Sequence, residues 1–284
     1  MINLKNKNCL ITGASSGIGK ALALKYAENQ TNLFLVARNK NLLKKTKDEI
    51  KSLYKINVHL FNFDISNESS VKKILKFFKN NNLKIDYLIN CAAVLGDGGK
   101  IQNISSKSWD YTIRVNLYGP FYLFKYLIPM LKINSLFINF SGGGGTLPQP
   151  FLDSYAASKA AVVRLTENVS LSYANKKITF VTISPGGINT KIFLDMKKLG
   201  RKKLGLNLWN EIKNRIKHGG DNIDNPLNLI IFLSKLIDRT AFNGRVISAK
   251  YDDWFKIHKN GNKIKKNDIF KLRRIDLTNS KYKI

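Results

Sequence analysis

Tyr155 and Lys159 lie four residues apart in Ser154-Tyr155-Ala156-Ala157-Ser158-Lys159. On a helix that spacing puts both side chains on one face, one turn apart. A phenol with its ordinary pKa near ~10 is a poor base at neutral pH. A neighbouring ammonium favours the phenolate, lowers that pKa and makes the tyrosine a usable general acid/base. Tyr-x-x-x-Lys alone arises readily by chance, so its position decides its meaning. Just upstream, the apolar run Ser135–Ser141 ends in a serine followed by four glycines, Gly142 to Gly145. A hydroxyl at the C-terminal end of a strand could hold a carbonyl oxygen for proton transfer, because ligands of parallel sheets bind at that edge.

A second constellation opens the chain. An apolar run leads into Thr12-Gly13-Ala14-Ser15-Ser16-Gly17-Ile18-Gly19, and a helical pattern follows directly. Glycines at such a turn let the backbone approach a pyrophosphate, which then sits at the positive end of the helix. The spacing is Gly-x-x-x-Gly-x-Gly, not the general Gly-x-Gly-x-x-Gly, and an ordinary tight turn is the bland alternative. About twenty residues on, a unit that binds NAD usually places an acid on the ribose hydroxyls. Here the second strand ends Val36-Ala37-Arg38-Asn39. A guanidinium without an acid favours a 2′-phosphate, and Ser15 could add a hydroxyl donor, so NADP is expected over NAD.

These residues need a parallel sheet to hold them. Short continuous apolar runs alternate with longer amphipathic segments, the mark of βαβ units. Strands are expected at Asn8–Thr12, Asn32–Arg38, Asn57–Phe63, Ile85–Cys91, Ser135–Ser141, Ile178–Ser184 and Gly244–Ala249. Helical patterns fill Gly17–Asn29, Lys40–Leu53, Glu68–Asn80, Trp109–Leu131, Ser154–Ala174 and Pro226–Asp238. The fold class is therefore α/β: one Rossmann-like domain, a doubly wound seven-stranded parallel sheet with helices on both faces. Residues 1–250 form the nucleotide-binding catalytic domain, and 251–284 a C-terminal extension. Thr190–Gly220 interrupts the rhythm, and its apolar anchors Ile192, Phe193, Leu194, Met196, Leu199 and Leu204 suit a substrate lid.

Of the 284 residues, 44% are hydrophobic and 24% charged, inside the globular range, with a net charge of +29. The lysines are spread over every surface segment, as at Lys44, Lys45 and Lys47, or Lys263, Lys265 and Lys266. That distribution describes a solvated basic surface that attracts anionic ligands, not a nucleic-acid stripe. Cys9 and Cys91 fall in the first and fourth strands, offset by roughly 10 Å at ~3.3 Å per residue, beyond the reach of a disulfide. Two reduced thiols, no signal-like opening and no bilayer-length apolar run lead us to expect a cytoplasmic protein off the membrane. Asp252 and Asp253 are adjacent, but two carboxylates do not make a metal site, and none is expected.

The ordered set resembles the classical short-chain dehydrogenase/reductase family over roughly residues 5–250. Thr12-Gly13-x-x-x-Gly17-x-Gly19 resembles its cofactor motif, with Ser15, Ser16 and Ile18 in the same turn. Asp64-Ile65 match the pair that contacts adenine, and Asn90-Cys91-Ala92-Ala93 stand where the family has Asn-Asn-Ala-Gly. Asn116 matches the helix asparagine that holds a proton-relay water, and with Ser141, Tyr155 and Lys159 it completes the family's tetrad. In Pro185-Gly186-Gly187-Ile188-Asn189-Thr190 the resemblance implies that the Ile188 backbone and the Thr190 hydroxyl hold a carboxamide. It also implies hydride transfer between NADP and a carbonyl or secondary alcohol, and a homo-oligomer.

The extension carries Trp254, expected to dock on the core or on a neighbouring subunit with Leu272. It also carries Arg273-Arg274, expected to face an anionic substrate, and then Ile275. It resembles tails of family members encoded for surface-polysaccharide synthesis, which adds a nucleotide-linked sugar to an oxoacyl compound as candidate substrates. The competing readings are an extended-branch sugar-nucleotide epimerase and a non-catalytic NADP-binding regulator or anionic-partner binding protein on the same fold. Length and glycine spacing argue against the first, and the serine–tyrosine–lysine set against the second.

Overall fold

A computed structural model describes residues 1–274. Seven strands form one parallel sheet: β1 (Asn8–Thr12), β2 (Asn32–Val36), β3 (Val58–Phe61), β4 (Ile85–Asn90), β5 (Leu131–Phe140), β6 (Thr179–Ser184) and β7 (Val246–Ser248), in the order β3-β2-β1-β4-β5-β6-β7. The order reverses direction between β1 and β4, which opens a crevice above their C-terminal ends. Neighbouring residues of one strand serve opposite faces. Cys9 and Ile11 of β1 pack with α1 (Gly17–Glu28) and, further along the chain, α8 (Asp224–Lys235), whereas Leu10 packs with α3 (Glu68–Asn80) and α5 (Gly119–Leu127). This two-sided burial is why the strands read as continuous apolar runs.

The remaining helices are α2 (Lys40–Leu53), α4 (Ser106–Ile113), α6 (Asp153–Ser172), α7 (Lys191–Lys217), α9 (Trp254–Lys259) and α10 (Gly261–Ile264). The long helix expected over Trp109–Leu131 is instead four pieces: α4, a wide π-type turn at Arg114–Tyr118, α5 and a short 3-10 turn at Ile128–Met130. Pro120 and Pro129 supply the reason, since a proline gives no N–H to the carbonyl four residues back. For Pro120 that carbonyl belongs to Asn116. The second strand stops at Val36, two residues short of Arg38, and β5 begins at Leu131, earlier than expected. α7 spans the expected lid, broken by left-handed Gly200 (φ 74°) and Gly205 (φ 71°).

The extension packs on the domain. The Trp254 ring lies tilted at 57° against Phe232 with centroids 5.7 Å apart, and Ile257 is buried. Arg245, 2% exposed, donates to the carbonyls of Ile264, Asn267 and Ile269. Arg273 pairs with the buried Glu167 of α6 at 2.7 Å and with Asp268 at 2.8 Å. Arg273 is therefore spent on anchoring the extension, not on a substrate. Leu272 is half-buried and its carbonyl accepts from Arg164, and Ile275 lies outside the described residues. Asp253 caps α9 and Asp252 accepts from the Ser248 N–H, so each acid of that pair has a local task. Cys9 and Cys91 are both free; Cys9 pairs in register with Tyr87, well below Cys91. Among the described residues no helix is long and apolar enough to cross a membrane, and no three metal-ligating side chains cluster.

Candidate active site

The β1–α1 turn is shaped by its glycines. Gly13 (φ 66°) and Gly17 (φ 52°) are left-handed, and a Cβ on Gly13 would lie 3.0 Å from the backbone at Cys91 and Ala92. A Cβ on Gly19 would collide with the Gly13 carbonyl, so α1 can only start this close to β1 with glycine there. The resulting cradle, with Ser15, Ser16 and Ile18 on its rim, ends in backbone N–H groups at a helix N-terminus and fits a pyrophosphate.

Thr12 and Asn90, expected on the cofactor, lie one layer beneath. The Thr12 hydroxyl donates to Asn90 Oδ1 at 2.6 Å and accepts from the Ala92 N–H at 3.1 Å. Asn90 continues the chain of bonds to Asn139 at 2.9 Å, and Asn139 to Thr166 at 3.0 Å. Both side chains are buried and do not line the cleft; they fix the height of β1 against β4 and so the position of the glycine turn.

At the next strand end, Arg38 lines the cleft beside Ser15 and Asp64. Its carbonyl accepts from Asn62 at 2.6 Å, and its half-exposed guanidinium lies 3.8 Å from Asp64 Oδ2 and 5.7 Å from the Tyr111 ring centre. Asp64 Oδ1 accepts from the Ser66 N–H, and Ile65 is buried against Gly119 on the same wall. This end of the cleft carries one cation next to one acid.

Tyr155 and Lys159 project from the first turns of α6 onto the cleft floor, and Ser141 immediately follows β5. The Tyr155 hydroxyl lies against Gly142, where a Cβ would sit 2.8 Å from it. Lys159 Nζ donates to the Phe140 carbonyl at 2.9 Å and lies 5.6 Å from the Tyr155 ring centre. Burial pushes the Tyr155 phenol up to about 12 and the Lys159 ammonium down to about 8. The lowered tyrosine pKa expected from the spacing is thus not what these residues produce by themselves. The ammonium is directed at a carbonyl instead of the phenol, and desolvation disfavours both charges.

Asn116, in the π-type turn, has both ends of its side chain occupied. Oδ1 accepts from the Val94 N–H at 2.9 Å, and Nδ2 donates to the Val94 carbonyl at 2.9 Å and to Ser158 Oγ at 3.0 Å. Ser158 in turn donates to the Tyr155 carbonyl at 2.7 Å. The amide is a brace between the segment after β4 and the start of α6, and it does not line the cleft.

Ile188 and Thr190, between β6 and α7, do line the cleft, and Thr190 packs on Gly17 across it. α7 closes the far side: Met196, Leu204 and Ile212 bury against Leu152 and Tyr155, while Leu194 is exposed. Lys203, between the two glycine breaks, bonds Asp97 at 2.7 Å. The continuous cleft measures about 1240 Å³. Its walls include residues that sequence reasoning did not single out, notably Gln149, Arg215, Asp221 and Tyr251. They lie outside any motif: Gln149 and Tyr251 follow the ends of β5 and β7, and the folding of α7 back over the sheet edge brings in Arg215 and Asp221. Arg273 and Arg274 are not on its walls.

Residues 7–198 match the family model described as short chain dehydrogenase. The uncharacterized oxidoreductase YxbG of Bacillus subtilis is 33% identical over 206 residues, which cover 72% of this chain and 75% of that protein. Among solved structures, an NAD+-bound xylitol dehydrogenase superposes with a TM-score of 0.76 at 22% identity, over 87% of this chain and 98% of that one. An actinorhodin polyketide ketoreductase with NADPH also gives 0.76, at 20% identity over 87% of this chain and 97% of that one. Glycine cradle, strand-end serine and tyrosine–lysine pair on one cleft, together with the family match across most of the chain, lead to one conclusion: the chain belongs to the short-chain dehydrogenase family of NAD(P)-dependent oxidoreductases that interconvert CH–OH and C=O groups.

Proposed function

We propose that the chain is an NADP-preferring carbonyl reductase or alcohol dehydrogenase in which Tyr155 is the general acid/base. The observation that carries this reading is the single continuous cleft joining the glycine cradle and Arg38 at one end to Ser141, Tyr155 and Lys159 at the other. The nicotinamide supplies or accepts the hydride. Ser141 Oγ orients the carbonyl oxygen, and Tyr155 Oη gives it a proton. Lys159, its ammonium 5.6 Å from the Tyr155 ring centre, would hold the nicotinamide ribose, while the Ile188 backbone and Thr190 hydroxyl would take the carboxamide. Asp64 and Ile65 flank the adenine. Thr12, Asn90 and Asn116 act from behind the wall, setting the heights of the strands and of α6.

The substrate end is walled by apolar Phe151, Phe193, Met196 and Leu208 and by polar Gln149, Asp195, Asn207, Glu211 and Arg215. That mixed lining accommodates a carbonyl compound with an apolar body, such as an oxoacyl compound, with a nucleotide-linked sugar as the alternative. Exposed Tyr118 and Phe121 support a self-association face and hence a homo-oligomer. In the test, NADPH oxidation is followed with a panel of ketones and oxoacyl esters. Tyr155→Phe should abolish turnover and leave NADPH affinity within about twofold, since only a proton donor is removed. A variant that turns over at the wild-type rate would refute the assignment. NADPH binding without turnover of any carbonyl would favour the regulator reading.

A further inference from the structure

We infer that Asp221 is a positioning residue that fixes the nicotinamide-side loop through Gly187 and couples it to Lys250, an inference that rests on the loop reading above. Gly187 sits between β6 and Ile188, and both its polar backbone groups are bound by this one aspartate. Its N–H donates to Asp221 Oδ2 at 2.6 Å, and its carbonyl accepts from the Asp221 N–H at 3.0 Å. The other carboxylate oxygen accepts from Lys250 Nζ, just past β7, at 2.7 Å. Gly186 beside it is left-handed (φ 88°), and a Cβ there would come 2.8 Å from Asp221 Oδ2. The fit is therefore close on both sides of the peptide.

Asp221 reaches this place through Gly219 (φ 81°) and Gly220 (φ 73°), which end α7 and turn the chain back. A Cβ on Gly220 would lie 2.8 Å from both the Gly187 carbonyl and Asn189 Oδ1, so the return is packed directly on the loop. Arg215 lies against Gly187 on the remaining side and bonds Glu211 at 2.7 Å. Only 19% of the Asp221 side chain is exposed, and Lys250, the Gly187 N–H and Arg215 together hold its carboxyl below the usual range despite that burial. The far end of the loop is fixed separately, by the Thr190 N–H to the Ile188 carbonyl at 2.7 Å and by the start of α7. Ile188 thus hangs between two fixed points, and Asp221 sets one of them. A loop held this way presents its donors in one geometry and is not ordered anew at each binding event.

The test compares two ligands by fluorescence titration: NADPH, and 2′-phospho-ADP-ribose, which keeps the adenine end and lacks the nicotinamide. Asp221→Ala should weaken NADPH about tenfold or more, the loss expected for a charge-assisted bond to a buried N–H. The same variant should leave 2′-phospho-ADP-ribose within about twofold. Asp221→Asn keeps an acceptor for Gly187 and loses the ion pair, so it and Lys250→Ala should each show a smaller loss, about two- to fivefold, for NADPH alone. If Asp221→Ala unfolds, these two milder variants decide the matter. Equal weakening of both ligands, or of neither, overturns the inference. Thr190→Ala separates the underlying reading: if it too spares NADPH, the loop does not hold the nicotinamide. If it weakens NADPH while the Asp221 variants do not, only the role of Asp221 fails.

Discussion

Replacing Arg38 with alanine should separate the two possible cofactors. The guanidinium stands at the C-terminal end of β2 on the cleft wall, its backbone fixed by Asn62, its nearest acid 3.8 Å away. A hydrogen bond to a charged group contributes about 1.5–3 kcal/mol. Arg38 is 47% exposed and partly attracted to Asp64, so the lower part of that range applies, about 1.5–2 kcal/mol. That converts to a loss of about 10–30-fold in kcat/KM for NADPH. NADH lacks the 2′-phosphate and should stay within about twofold. Arg38→Lys keeps the charge but loses the planar fork, and should fall between wild type and alanine. Initial rates with each cofactor at one saturating ketone concentration would measure this. The assay belongs at about 0.15 M salt, where the +29 surface is screened and any general attraction for phosphates is reduced. A parallel fall for NADPH and NADH, or no fall for NADPH, would refute the role of Arg38.

Two further outcomes follow from the buried groups. The Lys159 ammonium, lowered to about 8, is present below that pH and lost as pH rises through it, whereas Tyr155, raised to about 12, stays a proton donor throughout. Reductive kcat/KM should therefore be level below about pH 7 and decline through about pH 8; the inflection should vanish in Lys159→Met, and its persistence there would reassign it. Arg245→Ala removes a guanidinium that serves three carbonyls of the extension, and should cost about 3 kcal/mol or more, lowering Tm by several degrees with NADPH affinity unchanged. An unaltered melting curve would show that these bonds add nothing net.

The sheet was legible because its central strands are buried on both faces, so Leu10 and Ile11 are apolar for opposite reasons and the run stays unbroken. The broken helix around Asn116 was less so, since an apolar period survives across a π-type turn while the hydrogen-bond ladder does not. Motif residues were readable as types, yet their depth was not. Thr12, Asn90 and Asn116 are polar side chains near a ligand-binding edge, and only their hydrogen-bond partners in the fold show that they brace the wall from behind. The tyrosine pKa was misjudged for a related reason: spacing fixes proximity to Lys159, while burial and the Phe140 carbonyl determine what the charge does. Asp221 gave no signal at all, because its partners are 34 and 29 residues away.

The pairing at the outer edge of the sheet bears on how the protein stays dispersed. β7 is three residues long and outermost, and the Val246 N–H donates to the Phe270 carbonyl at 2.8 Å. A chain cut after residue 250 would present that strand with an open donor and would leave the Arg245 guanidinium without its carbonyls. Uncovered strand edges recruit strands from other molecules. Residues 251–274 thus cover this edge, and their removal is expected to be felt first as lost yield of dispersed protein, before any change in chemistry at Tyr155.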